Sequence, residues 1–352
     1  MEFGLSEEQS LLVDSTTRFL GEQVALDTVR KIAEGDTSDH KVWSGLTELG
    51  IPALLISEEA GGMNLGTMEA ALISEALGYH VTPGPFLPSA TIAATALKDS
   101  NQSELMADIA AGNSRVGVAF SEAVGARDKA GVTASNHQLS GTAIFALDAE
   151  ADFYLVATNQ RALYLVSTDQ LERRALTTID KTRSTCELVF DKTPAALISD
   201  NLDTFDRCLD IGRIMIAADT LGAAQNMLDQ AIAYAKTREQ FDRPIASFQA
   251  VKHMCAEMAA QLEPCRSMVW YAAHAFDELP LESRLIACHA KAHISEVGTF
   301  VAKTSTEVHG GMGFTDLVGL HYWFKRIGFN RQILGSPELV REEAARLQNL
   351  VA

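Results

Sequence analysis

The chain has 352 residues, more than the roughly 100–200 of one typical domain, so the sequence predicts two or three structural units that each bury a core. Hydrophobic residues make up 47% and charged residues 21%, a globular composition that excludes a disordered or fibrous chain. The 29 basic and 46 acidic residues give a net charge of −17, which repels phosphate backbones and anionic lipid surfaces. We therefore expect no nucleic-acid partner, and any anionic ligand must be bound by locally placed cations or backbone N–H groups.

The N-terminal sequence is acidic and has neither the basic nor the apolar region of a signal peptide. No run approaches 18 apolar residues, so the sequence predicts a cytoplasmic protein without membrane insertion. The five cysteines are scattered and include no Cys-x-x-Cys pair. We interpret them as small buried hydrophobic residues rather than as a disulfide framework or a zinc site.

Residues 1–113 are predicted to form an N-terminal helical domain. Ser6 and Gln9 have the spacing of a capping box, which predicts that the first helix begins there. Prolines and glycines then separate further runs of helical periodicity, such as 67–78 and 89–98.

The periodicity changes from 3.6 to 2 at about residue 114, and residues 114–202 are predicted to form a small β-domain. Val116 and Val118 alternate with smaller residues, and 153–158 and 163–168 are short runs rich in strand-forming residues. Turn residues separate the strands, and no long helix intervenes to make parallel crossovers. We therefore expect an antiparallel sheet.

Helical periodicity returns at about residue 203, and residues 203–352 are predicted to form a C-terminal helical bundle. The segments are long, Ala-rich and amphipathic, a pattern typical of a four-helix bundle. The predicted helices span 205–235, 247–277, 281–308 and 337–350. The predicted fold is thus mainly α with a central β-domain.

A segment with basic and aromatic residues, 236–249, joins two of the predicted bundle helices. It carries Arg238, Phe241 and Gln249 in an otherwise acidic chain. A guanidinium beside a helix start can hold a diphosphate through two hydrogen bonds, and an aromatic side chain can lie against a ring system. The alternative interpretation is an ordinary helix–helix turn with solvated charges, because short motifs often match by chance.

A second segment, 307–314, is glycine-rich and follows a predicted helix. Gly310, Gly311 and Gly313 permit positive φ angles and let a ligand approach the backbone, which suits a phosphate or ribose contact. The alternative interpretation is a glycine C-cap followed by a turn.

A third group, Cys288, His289 and His293, has two histidines four residues apart on one helix face. A structural zinc site needs four ligands, and no further ligand has suitable spacing, so we expect no metal here.

The two motifs, read together and in order, resemble the acyl-CoA dehydrogenase family. The family's pattern is similar to TREQFDRPIASFQ at 237–249 and to HGGMGFT at 309–315, and its first domain resembles 46–62 and 75–78 here. The resemblance covers essentially the whole chain. It implies the same helical, β, helical order, an FAD cofactor, and removal of two hydrogens across the α and β carbons of an acyl-CoA thioester.

The resemblance also implies which residues hold the cofactor. In that family a neighbouring subunit binds the pyrophosphate and adenosine half of FAD, and the matching positions here are Arg238, Phe241, Gln249 and the turn 310–313. Glu307 stands where a glutamine often contacts the cofactor. An electron-transfer acceptor is implied as the partner that reoxidises the flavin.

The sequence departs from the family at the catalytic base, the glutamate that takes the α-proton. Leu334 stands at the usual position, and Gly212, before Arg213, stands at the alternative one. We therefore predict no catalytic base at either position. Glu338 and Asp316 are the candidates if an unusual base exists.

A further departure lies in the β-domain at 120–128, where the family has Thr-Glu-Pro and Gly-Ser-Asp beside the flavin ring. The chain keeps Ser121 and Glu122 but has neither the proline nor the Gly-Ser pair. The motifs for the neighbouring subunit's FAD are thus retained, while those for the chain's own flavin ring are altered.

This pattern resembles the short subunits of heteromeric acyl-CoA dehydrogenases in bacterial steroid side-chain or dicarboxylate degradation. There a longer partner carries the glutamate and the flavin-ring site, in a heterotetramer of two long and two short subunits. We expect this role for the chain. Two alternatives are a non-catalytic structural or regulatory member of the fold, and a homomeric dehydrogenase with a non-standard base.

Overall fold

The N-terminal part of the chain is helical in the computed structural model, which describes residues 4–125 and 131–351. Its elements are α1 (Glu7–Gln23), α2 (Leu26–Glu34), α3 (His40–Glu48), α4 (Thr67–Tyr79), a π-helical segment (Phe86–Ala93) that continues into α5 (Ala94–Leu97), and α6 (Ser103–Ala110). The predicted capping box is confirmed: Gln9 N–H donates to Ser6 Oγ at 3.1 Å, and Ser6 N–H donates to Gln9 Oε1 at 3.0 Å.

The middle of the chain forms one sheet, which within the described residues has eight strands in the order β6-β7-β3-β1-β4-β5-β8, with β2 paired to β3. The strands are β1 (Val116–Ala119), β2 (Gly131–Ser135), β3 (Gln138–Leu147), β4 (Phe153–Ala157), β5 (Leu163–Ser167), β6 (Glu172–Leu176), β7 (Thr185–Pro194) and β8 (Ala196–Ser199). The antiparallel prediction is wrong for one pair, β1 and β4, which run parallel. The prediction assumed that parallel strands need a long helix between them. Here the β2–β3 hairpin connects β1 to β4 instead.

A bulge interrupts β3 between Ala143 and Ala146. Phe145 within it has a φ of +56°, which is unusual for a bulky residue, and its side chain is partly exposed. Glu122 supports the bulge from the preceding segment, since its carboxylate accepts a hydrogen bond from Ile144 N–H at 3.0 Å. The bulge thus turns an aromatic side chain out of the sheet's regular alternation.

The C-terminal part is again helical. It consists of α7 (Leu202–Thr237), α8 (Gln249–Glu278), α9 (Ser283–His309), α10 (Leu320–Gln332) and α11 (Pro337–Leu347), and a short hairpin, β9 (Glu239–Gln240) and β10 (Arg243–Pro244), joins α7 to α8. The four predicted bundle helices are confirmed with small shifts at their ends, whereas α10 was not among them. The sequence of α10 is rich in aromatic residues rather than alanine and contains Gly328. Its N-cap residue is Gly319, which has no side chain to cap the helix.

Helix α7 runs through the centre of the molecule and meets α4 at two glycines. A Cβ on Gly78 would overlap the backbone oxygen of Asp219, and one on Gly222 would overlap that of Glu75. The two helices therefore pack backbone to backbone, which only glycine permits at these positions.

A buried arginine, Arg326 on α10, connects all three parts of the chain. Its guanidinium donates to Asp180 Oδ2 at 2.8 Å in the sheet domain, to Asp219 Oδ2 at 3.1 Å on α7, and to the backbone oxygen of Thr82 at 3.1 Å. Arg183 adds a second cation 2.8 Å from Asp219. The charges are buried and mutually compensated, so removing one partner would leave an unpaired buried charge.

The cysteines are unpaired, and four of the five are buried, as the sequence predicts for small hydrophobic residues. In the described part of the chain, no helix combines the length and apolar character needed to cross a membrane.

Candidate functional site

A cavity of about 620 Å³ lies between the sheet domain and the end of α10. Its wall includes Ser121, Val124, Gly125, Phe145 and Ile179 on the sheet side, and Phe329, Ile333, Leu334, Ser336 and Leu339 on the bundle side. Among the described residues, no ionisable side chain lines it. The cavity therefore suits an uncharged and largely apolar group.

The floor of this cavity is a turn after α10 that two buried basic side chains hold in place through hydrogen bonds. Lys291 Nζ donates to the backbone oxygens of Asn330 at 2.7 Å and Arg331 at 3.1 Å, and Arg213 Nε donates to Leu334 O at 3.1 Å. These bonds satisfy carbonyls that a helix end leaves without partners. Burial lowers the pKa of Lys291 to about 7.

Of the two predicted base positions, Leu334 lines this floor and Gly212 lies against the Leu334 side chain. Leu334 has a φ of +56° and is 3% exposed. A Cβ built on Gly212 would lie 2.5 Å from Leu334 Cδ1 and 2.9 Å from Ile92 Cδ1, so the space beside Gly212 is filled by methyl groups. No carboxylate lines the described wall of the cavity. The arrangement there offers no group that could take a proton from a ligand carbon.

The two alternative base candidates lie elsewhere and are engaged in other contacts. Glu338 pairs with Arg331 at 2.7 Å, and hydrogen bonds from its own backbone amide and from Ser336 lower its pKa to about 2. Asp316 accepts a hydrogen bond from His321 at 2.8 Å, which lowers its pKa. Neither carboxylate lines the cavity.

The altered flavin-ring segment is described in part, because residues 126–128 lie outside the described residues. Ser121 lines the cavity. Glu122 is buried, and its carboxylate accepts a hydrogen bond from Ile144 N–H at the β3 bulge.

The two cofactor motifs meet through an aromatic contact between α7 and α9. The rings of Tyr234 and His309 stack with centroids 4.7 Å apart and planes 26° apart. His309 Nδ1 also lies 2.8 Å from Ser305 O, and burial lowers the pKa of the imidazole. Since Arg238 follows Tyr234 by one helical turn and the glycine turn follows His309 directly, both motifs lie at one end of the bundle.

The first motif forms a tight hairpin that displays its aromatic residue. Gln240 pairs with Arg243 across the hairpin, and the two residues between them, Phe241 and Asp242, have φ angles of +55° and +58°. Positive φ at both central positions is the geometry of a two-residue hairpin turn. Phe241 is 86% exposed. The guanidinium of Arg243 stacks over the Phe248 ring, 4.0 Å from the ring centroid.

Arg238 caps the end of α7 and presents a free guanidinium. Its N–H donates to Tyr234 O at 2.8 Å, and its carbonyl accepts from Ile245 N–H at 2.8 Å. Its side chain has no hydrogen bond or ion pair with the described residues. Gln249, the first residue of α8, is also exposed. The motif thus offers an unpaired cation and an amide at an open surface.

The glycine turn is open at its start and tight at its end. Gly310 has φ +58° and ψ −137°, a conformation that essentially only glycine adopts, and nothing lies within 4 Å of a Cβ on Gly310 or Gly311. A Cβ on Gly313 would lie 2.9 Å from Thr306 O, so that glycine is needed for packing. Glu307, one turn earlier, is exposed.

The Cys288, His289 and His293 group is not a cluster of converging ligands in the structure. Cys288 is buried, and its Sγ accepts a hydrogen bond from Arg213 Nη1 at 3.3 Å. His289 is half-buried and His293 is exposed.

Sequence reasoning missed three contributors to these sites: Lys291, the Tyr234–His309 stack, and Phe145. A lone lysine in an Ala-rich stretch was the one visible signal for Lys291. The bulge that presents Phe145 depends on pairing with a distant strand, so it left no local signature.

Two family models match the chain. The model described as "Acyl-CoA dehydrogenase, N-terminal domain" matches residues 6–108, and that described as "Acyl-CoA dehydrogenase, C-terminal domain" matches residues 202–347. Together they span more than half of the chain and leave out the sheet domain.

Curated relatives and solved structures agree with these matches. Acyl-CoA dehydrogenase IpdE2 of Mycolicibacterium smegmatis is 28% identical over 98% of this chain and 99% of its own length, and that of Mycobacterium tuberculosis is 29% identical over 98% of each. A variant of the "Tcur3481-Tcur3483 steroid ACAD" superposes with a TM-score of 0.88 at 26% identity and covers 98% of both chains. The ChsE4-ChsE5 complex from Mycobacterium tuberculosis has the same fold, with a TM-score of 0.90, 24% identity and full coverage of both chains. The chain belongs to the acyl-CoA dehydrogenase family of oxidoreductases.

Proposed function

We propose that this chain is the subunit of a heteromeric, FAD-dependent acyl-CoA dehydrogenase that lacks the catalytic base and completes the FAD site of a longer partner subunit. The observation that carries the proposal is the contrast between two sites. Leu334 and Gly212 leave the chain's own cavity without a base, while Arg238 keeps an unpaired guanidinium at the surface.

The chain's own cavity is unsuited to the proton transfer of this reaction. Taking an α-proton from a thioester requires a basic group within hydrogen-bond reach of that carbon. Leu334 and Ile92 place only methyl groups beside Gly212. The partner subunit must therefore supply the base.

The exposed motifs fit the diphosphate half of FAD, which when bound supplies the acceptor for the β-hydride. The Arg238 guanidinium can hold a diphosphate through two hydrogen bonds, and the open backbone of Gly310 and Gly311 admits close approach of a ligand. Phe241 offers an exposed aromatic face. Glu307 opposes an anion at this surface, so the attraction of the Arg238 guanidinium must outweigh the repulsion from Glu307.

Two solved relatives support the proposed heteromer and a substrate class. One solved relative is described as a steroid ACAD and another as a complex of two different chains. On that basis we propose a steroid-derived acyl-CoA as the substrate of the assembled enzyme. An electron-transferring flavoprotein is the proposed acceptor, and the cytoplasmic location stays a prediction from the N-terminal sequence.

The decisive experiment purifies the chain alone and together with a longer dehydrogenase encoded in the same operon. Visible absorbance measures bound flavin, and acyl-CoA-dependent reduction of a dye measures turnover. We expect turnover in the complex and none in the isolated chain. Turnover by the isolated chain would favour a homomeric enzyme. If the partner subunit binds the same amount of flavin with and without this chain, a structural role would be favoured.

A further inference from the structure

A second cavity of about 420 Å³, here called the vestibule, adjoins the first and shares Val124 and Leu339 with it. Unlike the uncharged first cavity, it is lined by four arginines, which are Arg161, Arg213, Arg284 and Arg346. An apolar chamber beside a cluster of guanidinium groups would suit a ligand with an anionic end.

Every one of these arginines already contacts a carboxylate. Arg161 lies 3.8 Å from Asp206, and Arg346 pairs with Glu342 on the same helix. Arg284 lies 3.0 Å from Asp206 Oδ1. The vestibule therefore presents no free cation among the described residues.

Glu343 on α11 has the central place in this arrangement. Its Oε2 accepts from Arg213 Nη2 at 2.8 Å, and its Oε1 pairs with Arg284 Nη2, so one carboxylate bridges cations from α7 and α9. Arg213 is 1% exposed and also donates from Nε to Leu334 O and from Nη1 to Cys288 Sγ. Asp206 at 3.0 Å and Asp210 at 3.5 Å contact Arg284 alone, so Glu343 is the carboxylate that engages both guanidinium groups at the vestibule wall.

We propose that Glu343 closes the vestibule to anionic ligands by occupying, with its own carboxylate, the place that Arg213 and Arg284 would offer to a phosphate group. A phosphate that entered would either meet the like charge of Glu343 at close range or have to displace it from two charge-assisted hydrogen bonds. Glu343 is therefore a specificity-determining residue that excludes diphosphate-bearing ligands. This inference goes beyond the proposed function, because it concerns the chain's own cavities and not the partner's flavin.

The test compares two neighbouring substitutions on α11 in the full chain, Glu343→Gln and Glu342→Gln. Both remove one negative charge from the vestibule wall, but only Glu343 bridges the two arginines. Coenzyme A and inorganic pyrophosphate are the probes, and isothermal titration calorimetry measures their dissociation constants. We expect Glu343→Gln to bind both probes about tenfold more tightly than the wild-type chain, and Glu342→Gln to stay close to wild type.

Equal affinities for Glu343→Gln and the wild type would overturn the proposal, and so would an equal gain in both variants, because net charge alone would then explain the effect. Should Glu343→Gln fail to fold, Glu343→Asp keeps the charge but shortens the side chain, so that it no longer bridges Arg213 and Arg284. It must then bind pyrophosphate about threefold more tightly than wild type, and no gain would equally refute the proposal. These measurements use no turnover and no partner subunit, so their outcome is independent of the proposed function.

Discussion

Leu334 and Gly212 lie against each other at the floor of the cavity, where a Cβ on Gly212 would come 2.5 Å from Leu334 Cδ1. The two positions that carry a base in different members of the family thus converge on one place in space. A carboxylate at either position would reach the same neighbourhood from opposite sides. The structure therefore makes different predictions for the two substitutions that restore a carboxylate.

Leu334→Glu is expected to give the isolated chain weak dehydrogenase activity if flavin is bound, because Leu334 lines the cavity. A positioned base contributes about 10²–10⁴-fold to such a reaction. Dye reduction with an acyl-CoA measures the gain. Leu334→Gln is the matched control, since it has the same shape without a basic oxygen. Equal rates in both variants would mean that the flavin and the new side chain do not face the same ligand carbon.

Gly212→Glu is expected to be the poorer restoration, because its side chain must displace Leu334 and Ile92. Overpacking of this kind costs about 1–3 kcal/mol of the free energy of unfolding. Urea denaturation of Gly212→Glu and Gly212→Ala measures the cost and separates the effect of the first carbon from that of the carboxylate. A variant as stable as wild type would contradict the tight contact.

Arg238→Ala is expected to weaken FAD binding in the assembled complex by about 1.5–3 kcal/mol, the range for a hydrogen bond to a charged group. Flavin occupancy after dialysis, followed by absorbance, measures the loss. Lys236→Ala removes an exposed cation from the last turn of the same helix and is the control. Unchanged occupancy in the Arg238→Ala complex would remove Arg238 from the cofactor site.

The free energy of unfolding is expected to fall as the pH rises from about 4 to 7, because Asp210 keeps its proton in the folded state and loses it in the unfolded state. Burial raises its pKa from 3.8 to about 7, against the opposing effects of Arg284 and Arg213. The folded state then binds more protons than the unfolded state in this window, so the free energy of unfolding falls by on the order of 1 kcal/mol per pH unit. Asp210→Asn should flatten this slope in urea titrations at pH 4.5, 5.5 and 6.5. If Asp210→Asn has the same slope of unfolding free energy against pH as wild type, the pH dependence comes from other carboxylates.

Lys291 is expected to make the protein more stable as the pH rises above about 7, opposite to the effect of Asp210. Its folded pKa of about 7 lies below the ordinary 10.5, so the folded state binds fewer protons between pH 7 and 10 and stability rises with pH. Arg213, Arg331 and Glu338 are the charged groups that influence it. Lys291→Met should remove the rise and, by leaving the carbonyls of α10 without a donor, cost about 1–3 kcal/mol at pH 9. A variant with the wild-type slope would show that Lys291 stays charged.

Local features of this molecule were predictable from the sequence, and long-range ones were not. The Ser6–Gln9 cap depends on residues three apart, and the bundle helices depend on periodicity within one segment, so both were predicted. The hydrogen bond from Arg213 to Leu334 joins residues 121 positions apart, and the cavity floor rests on it. No pattern within a single segment encodes such a contact. The family resemblance predicts that Leu334 and Gly212 are empty base positions, but only the fold shows that the two residues lie side by side.

The Arg326 network has a consequence for how the chain can be taken apart. Because Arg326 on α10 is compensated by Asp180 of the sheet domain and Asp219 of α7, neither the bundle nor the sheet contains a complete set of partners for its own buried charges. A fragment cut between the sheet domain and the bundle would expose an apolar surface and lose the two buried ion pairs that cross this junction, Arg326–Asp180 and Arg183–Asp219. The sheet domain and the bundle therefore cannot be exchanged like independent modules, and grafting a foreign middle domain onto this bundle would require transplanting Asp180 and Arg183 with it.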